Sequence, residues 1–424
     1  MTSEAGLSSI KKNFDDLMNI NDALKRAISH HNENRISEAE ALYRSVLKYQ
    51  INHPIASVLL AKILLRTGRL NAVEKILKTV ISHHAYYMQA YNALGDFYEN
   101  KKEKLNALRN YKKALMLEPA QSAPLVAIGN IMQNLDIYSD ADNPKIFEVY
   151  KKAVINQPKS LPALNNCAAI QLKMLLPYDA LKTINNVLSF SPNNIRANAY
   201  KTIILQGLGK ESEADELIGF GKLIQTTELQ LSTRDQNLAA FNEKLKKVIL
   251  KHPNFTSDWD PAKRAIRGGA VVPRLFDYNH PILKKFEAAI VNAVGNYVRN
   301  LQNKENHPFL GYKPTQYTID IWANVLGSSD HQSSHIHNQG WMSGVYYVSL
   351  PENSVEENPY AGWLEFNRPG YGLPALAGED NIERIAPKPG MIVLFPSYIW
   401  HGTIPFTSQD TRISIAFDVH ANYS

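Results

Sequence analysis

The sequence predicts a multidomain α + β chain: an N-terminal all-α helical-repeat solenoid, then a C-terminal jelly-roll or cupin-like β domain with flanking helices. Three observations predict it. Helix-period patterns closed by prolines recur between about residues 20 and 226. Beyond about residue 315 the pattern changes to short runs rich in β-branched and aromatic residues, separated by Gly, Pro, Asn and Asp. No helical segment interleaves those runs, which argues against a doubly wound parallel sheet. At 424 residues the chain also exceeds one ordinary compact core. The expected division is a tail at 1–19, repeats at 20–226 and a second domain at 227–424 with its β core at about 315–420.

The clearest repeat is AYNALGDFYENKKEKLNALRNYKKALMLEP, from Ala90 to Pro119. Tyr91, Leu94, Gly95 and Tyr98 fall on a first helix, Ala107, Tyr111 and Ala114 on a second, and a proline closes the unit. Small residues let two antiparallel helices approach while aromatics fill the space between them. That order resembles the tetratricopeptide repeat. Related units place Ala39, Tyr43 and Val46 before Pro54, Tyr150 and Ala153 before Pro158, and Ala180, Ile184 and Val187 before Pro192. Pro158 to Pro192 is a step of 34 residues, whereas Pro119 to Pro158 is five longer because of an insertion around YSDADNP. Five or six such units are expected. Stacked helix pairs of this kind present a concave groove suited to a peptide or another protein.

After about Leu231, NLAAFNEKLKKVIL reads as an amphipathic helix, GGAVVP as turn-rich and FEAAIVNAVGNYVRNL as another helix. The strand candidates follow: YTIDIWANVL, WMSGVYYVSL, GWLEF, GMIVLFPS and RISIAFDV. Short antiparallel strands in this number suit a jelly roll.

Composition narrows the class further. Hydrophobic residues are 44% and charged residues 20%, close to globular averages. No run approaches the roughly 18 apolar residues needed to span a bilayer, and the start MTSEAGLSSIKKNFDD lacks a secretory apolar core. The expectation is a cytoplasmic protein with no membrane partner. The only cysteine, Cys167, sits near Ala163, Ala168 and Ala169 and reads as a small packing residue. The net charge of +6 is small for this length. Basic runs such as Lys101, Lys102 and Lys104, or Lys112 and Lys113, read as solvated helix faces, so the charge argues against a nucleic-acid partner.

Chemistry concentrates in SSHIHNQGWMSGVYYV and PGMIVLFPSYIWHGTIP. His335 and His337 are two apart on an extended segment, which turns both imidazoles to one side. His401 follows 64 residues after His337, just past a strand, where a barrel could bring it opposite the pair. Three imidazoles suit iron, zinc, copper or nickel, and the pattern alone leaves the metal open. On the last strand, Arg412 and Ser414 share one face. An inward arginine needs an anion, and a guanidinium fork matches a carboxylate; a salt bridge to a carboxylate such as Asp418, or exposure at a sheet edge, would be the structural alternative.

The segment from Tyr317 to Asp418, about a quarter of the chain, resembles the double-stranded β-helix domain of 2-oxoglutarate and iron(II) dioxygenases. The likeness rests on HxH…SGVYY and FPS…HG…RISI and is nearest the bacterial and phage 2-oxoglutarate–iron oxygenases. The resemblance implies that His335, His337 and His401 bind Fe(II), that Arg412 and Ser414 hold the distal carboxylate of 2-oxoglutarate, and that Tyr347 assists as in prolyl hydroxylases. Asn324 and Trp322 are further pocket candidates. It also implies hydroxylation of a peptide, protein residue or small molecule, with release of succinate and carbon dioxide.

The departure is at His337, because most of that superfamily has HxD…H. Either three imidazoles hold the metal, the favoured reading, or His337 is a bystander as in aspartyl/asparaginyl β-hydroxylase; Asp330 and Glu365 lack the spacing for a carboxylate ligand. Two rivals stand beside this reading. One is a three-histidine cupin dioxygenase that does not use 2-oxoglutarate, although Trp341 and Met342 occupy the place of the cupin glutamate. The other is a repeat scaffold with an inactive oxygenase domain.

Overall fold

The computed structural model describes residues 20–135, 137–231, 237–259, 265–351 and 358–422; the expected tail at 1–19 lies outside them. The chain forms two compact units, Met1–Asn166 and Cys167–Ser424.

The first unit is helical. A helix at 20–32 (α1) is followed by α2 (Ile36–Tyr49), α3 (Pro54–Arg66), α4 (Val73–His83), α5 (Met88–Asn100), α6 (Lys104–Leu117), α7 (Ser122–Gln133) and α8 (Asn143–Asn156). Each begins where the sequence permits: Pro54 occupies the first turn of α3, and the His53 ring accepts the Ala56 N–H as a cap. Within a repeat, a glycine on the first helix faces a tyrosine on the second. A Cβ on Gly95 would lie 2.5 Å from the Tyr111 ring, and one on Gly129 would lie 2.5 Å from Tyr150. Both rings are buried, as are Ala39, Tyr43, Val46 and Ala153. The small-plus-aromatic pattern therefore sets the helix spacing.

Helix α9 (Leu161–Lys173) precedes α10 (Pro177–Phe190), α11 (Ile195–Gly207) and α12 (Glu211–Ile218). Cys167 is buried and forms no disulfide. The second unit continues through β1 (Gln225–Glu228), α13 (Leu238–Leu250), β2 (Ile266–Arg267), β3 (Ala270–Val272) and α14 (Pro281–Asn300). Then come β4 (Gln316–Leu326), β5 (His331–Gln332), β6 (Met342–Ser349), β7 (Leu364–Phe366), β8 (Glu383–Ile385), β9 (Met391–Pro396), β10 (His401–Thr403) and β11 (Arg412–Asn422). The larger sheet has the order β1-β9-β6-β11-β4-β3, and a smaller one β10-β7-β8. A bridge between His335 and His401 continues the smaller sheet toward β5. Strands β4 to β11 thus pass back and forth between two sheets, with β7 and β8 a hairpin of the smaller one, the winding of an eight-stranded jelly roll. The segment GGAVVP, expected as a turn, supplies β3, which pairs Ala270–Val272 with Ala323–Val325 of β4.

Helices cover the outside. Tyr346 points away from the barrel interior, donating to Asn242 of α13 and packing on Phe286 of α14. Tyr398 donates to the Leu217 carbonyl and Trp400 Nε1 to the Ala199 carbonyl, at 2.7 and 2.9 Å. The Trp400 ring stacks on Tyr200 of α11. Helices α11 and α12 therefore grip the turn that delivers His401. Among the described residues no helix is long and apolar enough to cross a membrane.

Candidate metal centre

Strand alternation selects the side chains that face the barrel interior. On β11 these are Arg412, Ser414, Ala416 and Asp418, and the register sets Ser414 between Asn324 of β4 and Tyr347 of β6. The smaller sheet presents His335 and His401, joined by two backbone hydrogen bonds of 3.0 and 3.1 Å.

The three imidazoles converge. His337 Nε2 lies 3.1 Å from both His335 Nε2 and His401 Nε2. Each ring is oriented by what its other nitrogen meets. His335 Nδ1 faces the Ser333 carbonyl at 2.9 Å, His401 Nδ1 the Ile399 carbonyl at 2.9 Å, and His337 Nδ1 an Asp418 carboxylate oxygen at 2.8 Å. These partners only accept, so the proton of each neutral ring belongs on Nδ1 and the Nε2 lone pairs point at one another. Lone pairs this close repel unless a cation lies between them. The 3.1 Å separations suit neighbouring ligands at about 2.1 Å from one ion, roughly √2 times that distance.

Burial favours the neutral rings of His335 and His401. Burial, reinforced by the neighbouring His337 imidazole, lowers His335 to about 3. Burial, with both neighbouring imidazoles, holds His401 well below the usual histidine range. Burial alone would raise the Asp418 carboxyl, but the His337 ring and the Ser343 hydroxyl outweigh it and hold it low.

Further along β11, Arg412 is 1% exposed. Its Nη1 donates to Ser414 Oγ at 3.2 Å, its Cζ lies 5.1 Å from the Tyr347 ring centre, and its Nε has no partner among the described residues. The Tyr347 hydroxyl and Asn324 Nδ2 are likewise buried without a hydrogen bond of ordinary geometry. Burial pushes the Tyr347 phenol up to about 12, with Arg412 opposing. The structural alternative for Arg412 does not hold, because Asp418 is engaged by His337 and Ser343. A buried cation beside orphaned donors has the polarity of a carboxylate pocket.

Residues 320–418 match the profile of the family described as "Putative 2OG-Fe(II) oxygenase". Residues 31–94 match that of the tetratricopeptide repeat. The chain therefore joins a segment that matches that repeat to one that matches that oxygenase profile. No curated protein is a significant match. Similar solved structures include a thermophilic TPR protein of Thermus thermophilus, 20% identical over 42% of this chain and 94% of that one, with a TM-score of 0.36. PilF of Pseudomonas aeruginosa is 12% identical over 46% and 86%, with a TM-score of 0.42. YrrB, titled a TPR protein with an unusual peptide-binding site, is 14% identical over 41% and 84%, with a TM-score of 0.33.

Within the oxygenase domain, a cavity of about 200 Å³ opens beside the imidazoles, lined by Trp322, Asn324, Ile266 and Gln332 as well as His335 and His337. Trp322 stacks on His337, with ring centres 5.8 Å apart, and also lines a neighbouring groove of about 690 Å³. The two carboxylates considered from the sequence are engaged elsewhere: Asp330 accepts from the Gly327 N–H, and Glu365 pairs with Arg368. Ser343, Ser397 and Thr403 were not singled out by the sequence. Thr403 follows His401 at i+2 with a buried, unpartnered hydroxyl, and that alternation was the available signal.

Proposed function

We propose that this chain is an iron(II)- and 2-oxoglutarate-dependent oxygenase that hydroxylates a residue of a polypeptide held by its repeats. One observation carries the reading: the buried, carboxylate-free guanidinium of Arg412 lies on the same face of β11 as Asp418, which touches the three-imidazole cluster. A three-histidine dioxygenase that does without 2-oxoglutarate leaves that arginine unexplained.

The donor set and the orphaned polar atoms fit the two groups. His335, His337 and His401 would hold the iron on one side and leave its remaining positions open. Arg412 Nε, with the Tyr347 hydroxyl, would receive the distal carboxylate, and Ser414 fixes the guanidinium. Asn324 Nδ2 is a further donor toward the same space. Iron(II) with 2-oxoglutarate and dioxygen supplies oxidative decarboxylation, to succinate and carbon dioxide, coupled to insertion of oxygen into a C–H bond. The protein orients these partners and excludes water. Joining a repeat array of a peptide-binding type to this domain supports a polypeptide substrate.

Succinate release from 2-oxoglutarate, followed by NMR in the presence of iron(II), tests the reaction, and His401→Ala is expected to reduce it to background. Deleting residues 1–160 should leave slow, substrate-independent turnover but remove stimulation by a peptide substrate. Stimulation that survives the deletion would favour a small-molecule substrate, with the repeats serving assembly.

A further inference from the structure

Asp418 sits where the wider superfamily's difference from this chain becomes interpretable. The usual site carries a carboxylate at the position of His337, so replacing it by imidazole removes one negative charge from the ligand set. Here a carboxylate stands directly behind that imidazole: Asp418 Oδ1 and Oδ2 lie 2.7 and 2.8 Å from His337 Nδ1. The side chain is 14% exposed, so water does little to screen it. The contact is also built.

Ser343 Oγ donates to Asp418 Oδ1 at 2.7 Å and lies 2.8 Å from Ser397 Oγ. A hydroxyl has one proton, so Ser343 spends its own on the carboxylate and Ser397 must donate to Ser343. Asp418 thus receives two donors and gives none, which fixes the His337 proton on Nδ1. Register reinforces the arrangement, since Asp418 of β11 is set opposite Ser343 of β6, and the His337 N–H donates to the Ser397 carbonyl at 3.1 Å. Gly340 leaves the room required: a Cβ there would lie 2.7 Å from Ser397 Oγ and 3.3 Å from Asp418 Cγ. Trp322 closes the free face of the His337 ring. The other two imidazoles have only backbone carbonyls behind them.

We propose that Asp418, held by Ser343 and Ser397, is a positioning residue that fixes His337 with its Nε2 lone pair toward the metal and restores, one bond shell out, the negative charge that the third imidazole removes. This rests on the reading of the three histidines as metal ligands. It predicts an unequal set, in which His337 alone is backed by a carboxylate.

Anaerobic calorimetric titration of the full-length protein with iron(II), and with cobalt(II) as a spectroscopic probe, tests it without reference to turnover. Asp418→Asn is nearly isosteric and should weaken metal binding about 10- to 100-fold, the usual effect of removing a ligand's hydrogen-bonding carboxylate. Asp418→Glu should recover part of the loss, and circular dichroism should show both variants folded. In the metal-free wild-type protein, ¹⁵N–¹H correlation of the His337 ring should report a proton on Nδ1, held in the hydrogen bond to Asp418, a readout that stands even if Asp418→Asn fails to fold. Metal affinity unchanged within about twofold in a folded Asp418→Asn variant, or the opposite tautomer in the wild type, overturns the proposal. Wild-type protein that binds neither ion would instead sink the metal-site reading beneath it.

Discussion

Burying a guanidinium without a carboxylate is unfavourable, and Arg412 does so at 1% exposure, with the Ser414 hydroxyl and the Tyr347 ring beside it and an open Nε. Such an arrangement persists where binding uses it. Arg412→Met is therefore expected to stabilise the cofactor-free protein by about 1 kcal/mol or more, raising Tm by roughly 2–4 °C per kcal/mol. The same variant should lose the stabilisation that wild type gains from added 2-oxoglutarate and iron. Differential scanning calorimetry with and without ligand checks both; a lower Tm for the ligand-free variant contradicts the account. The histidines give a second expectation. Because burial lowers folded His335 to about 3, against about 6.5 when unfolded, its contribution to stability is complete above pH 6.5. The unfolded chain takes up the proton first as pH falls, so that contribution is lost between about 6.5 and 3. Urea titrations of metal-free protein across this window should show midpoints falling with pH, and less steeply in His335→Gln.

At the scale of elements, β4, β6, β7, β9 and β11 fall where runs such as YTIDIWANVL, GMIVLFPS and RISIAFDV place them, because alternation with β-branched residues is a local property. Pairing is not local. GGAVVP was opaque because its three-residue strand exists only by addition to the edge of β4. Asp418 entered the sequence reading only as an alternative partner for Arg412, since period two fixes a face and not the partner across the barrel. His401 was legible only as a histidine after a strand. Its position is fixed by the preceding turn, where Trp400 donates to Ala199 and stacks on Tyr200. Trp400→Phe removes the indole donor from the Ala199 carbonyl, which keeps the Thr202 hydroxyl as a partner, and should lower stability by about 0.5–1.5 kcal/mol. It should also weaken metal binding through the adjacent ligand. Denaturant unfolding beside metal titration separates the two effects, and a variant unchanged in both would show that the turn does not support the site.

For the whole molecule, period and composition were enough to separate a helical-repeat part from a β part, because glycine-tyrosine packing such as Gly95 with Tyr111 repeats along the chain. They could not show that helices α10–α12 pack into the same compact unit as the barrel, a consequence of side chains such as Trp400 and Tyr398 that lie some 200 residues further on. Nor could spacing show the three Nε2 atoms meeting, which requires closure of two sheets. The central claim is that these imidazoles and the Arg412 guanidinium serve one cavity. Anaerobic titration of the full chain with iron(II) and 2-oxoglutarate, followed by visible absorption, tests it most directly. A charge-transfer band that needs both components, disappears in His337→Ala and shifts to much higher 2-oxoglutarate concentration in Arg412→Ala is the predicted result. A wild-type protein that binds iron but develops no band with 2-oxoglutarate, or an Arg412→Ala variant that titrates like wild type, would contradict it.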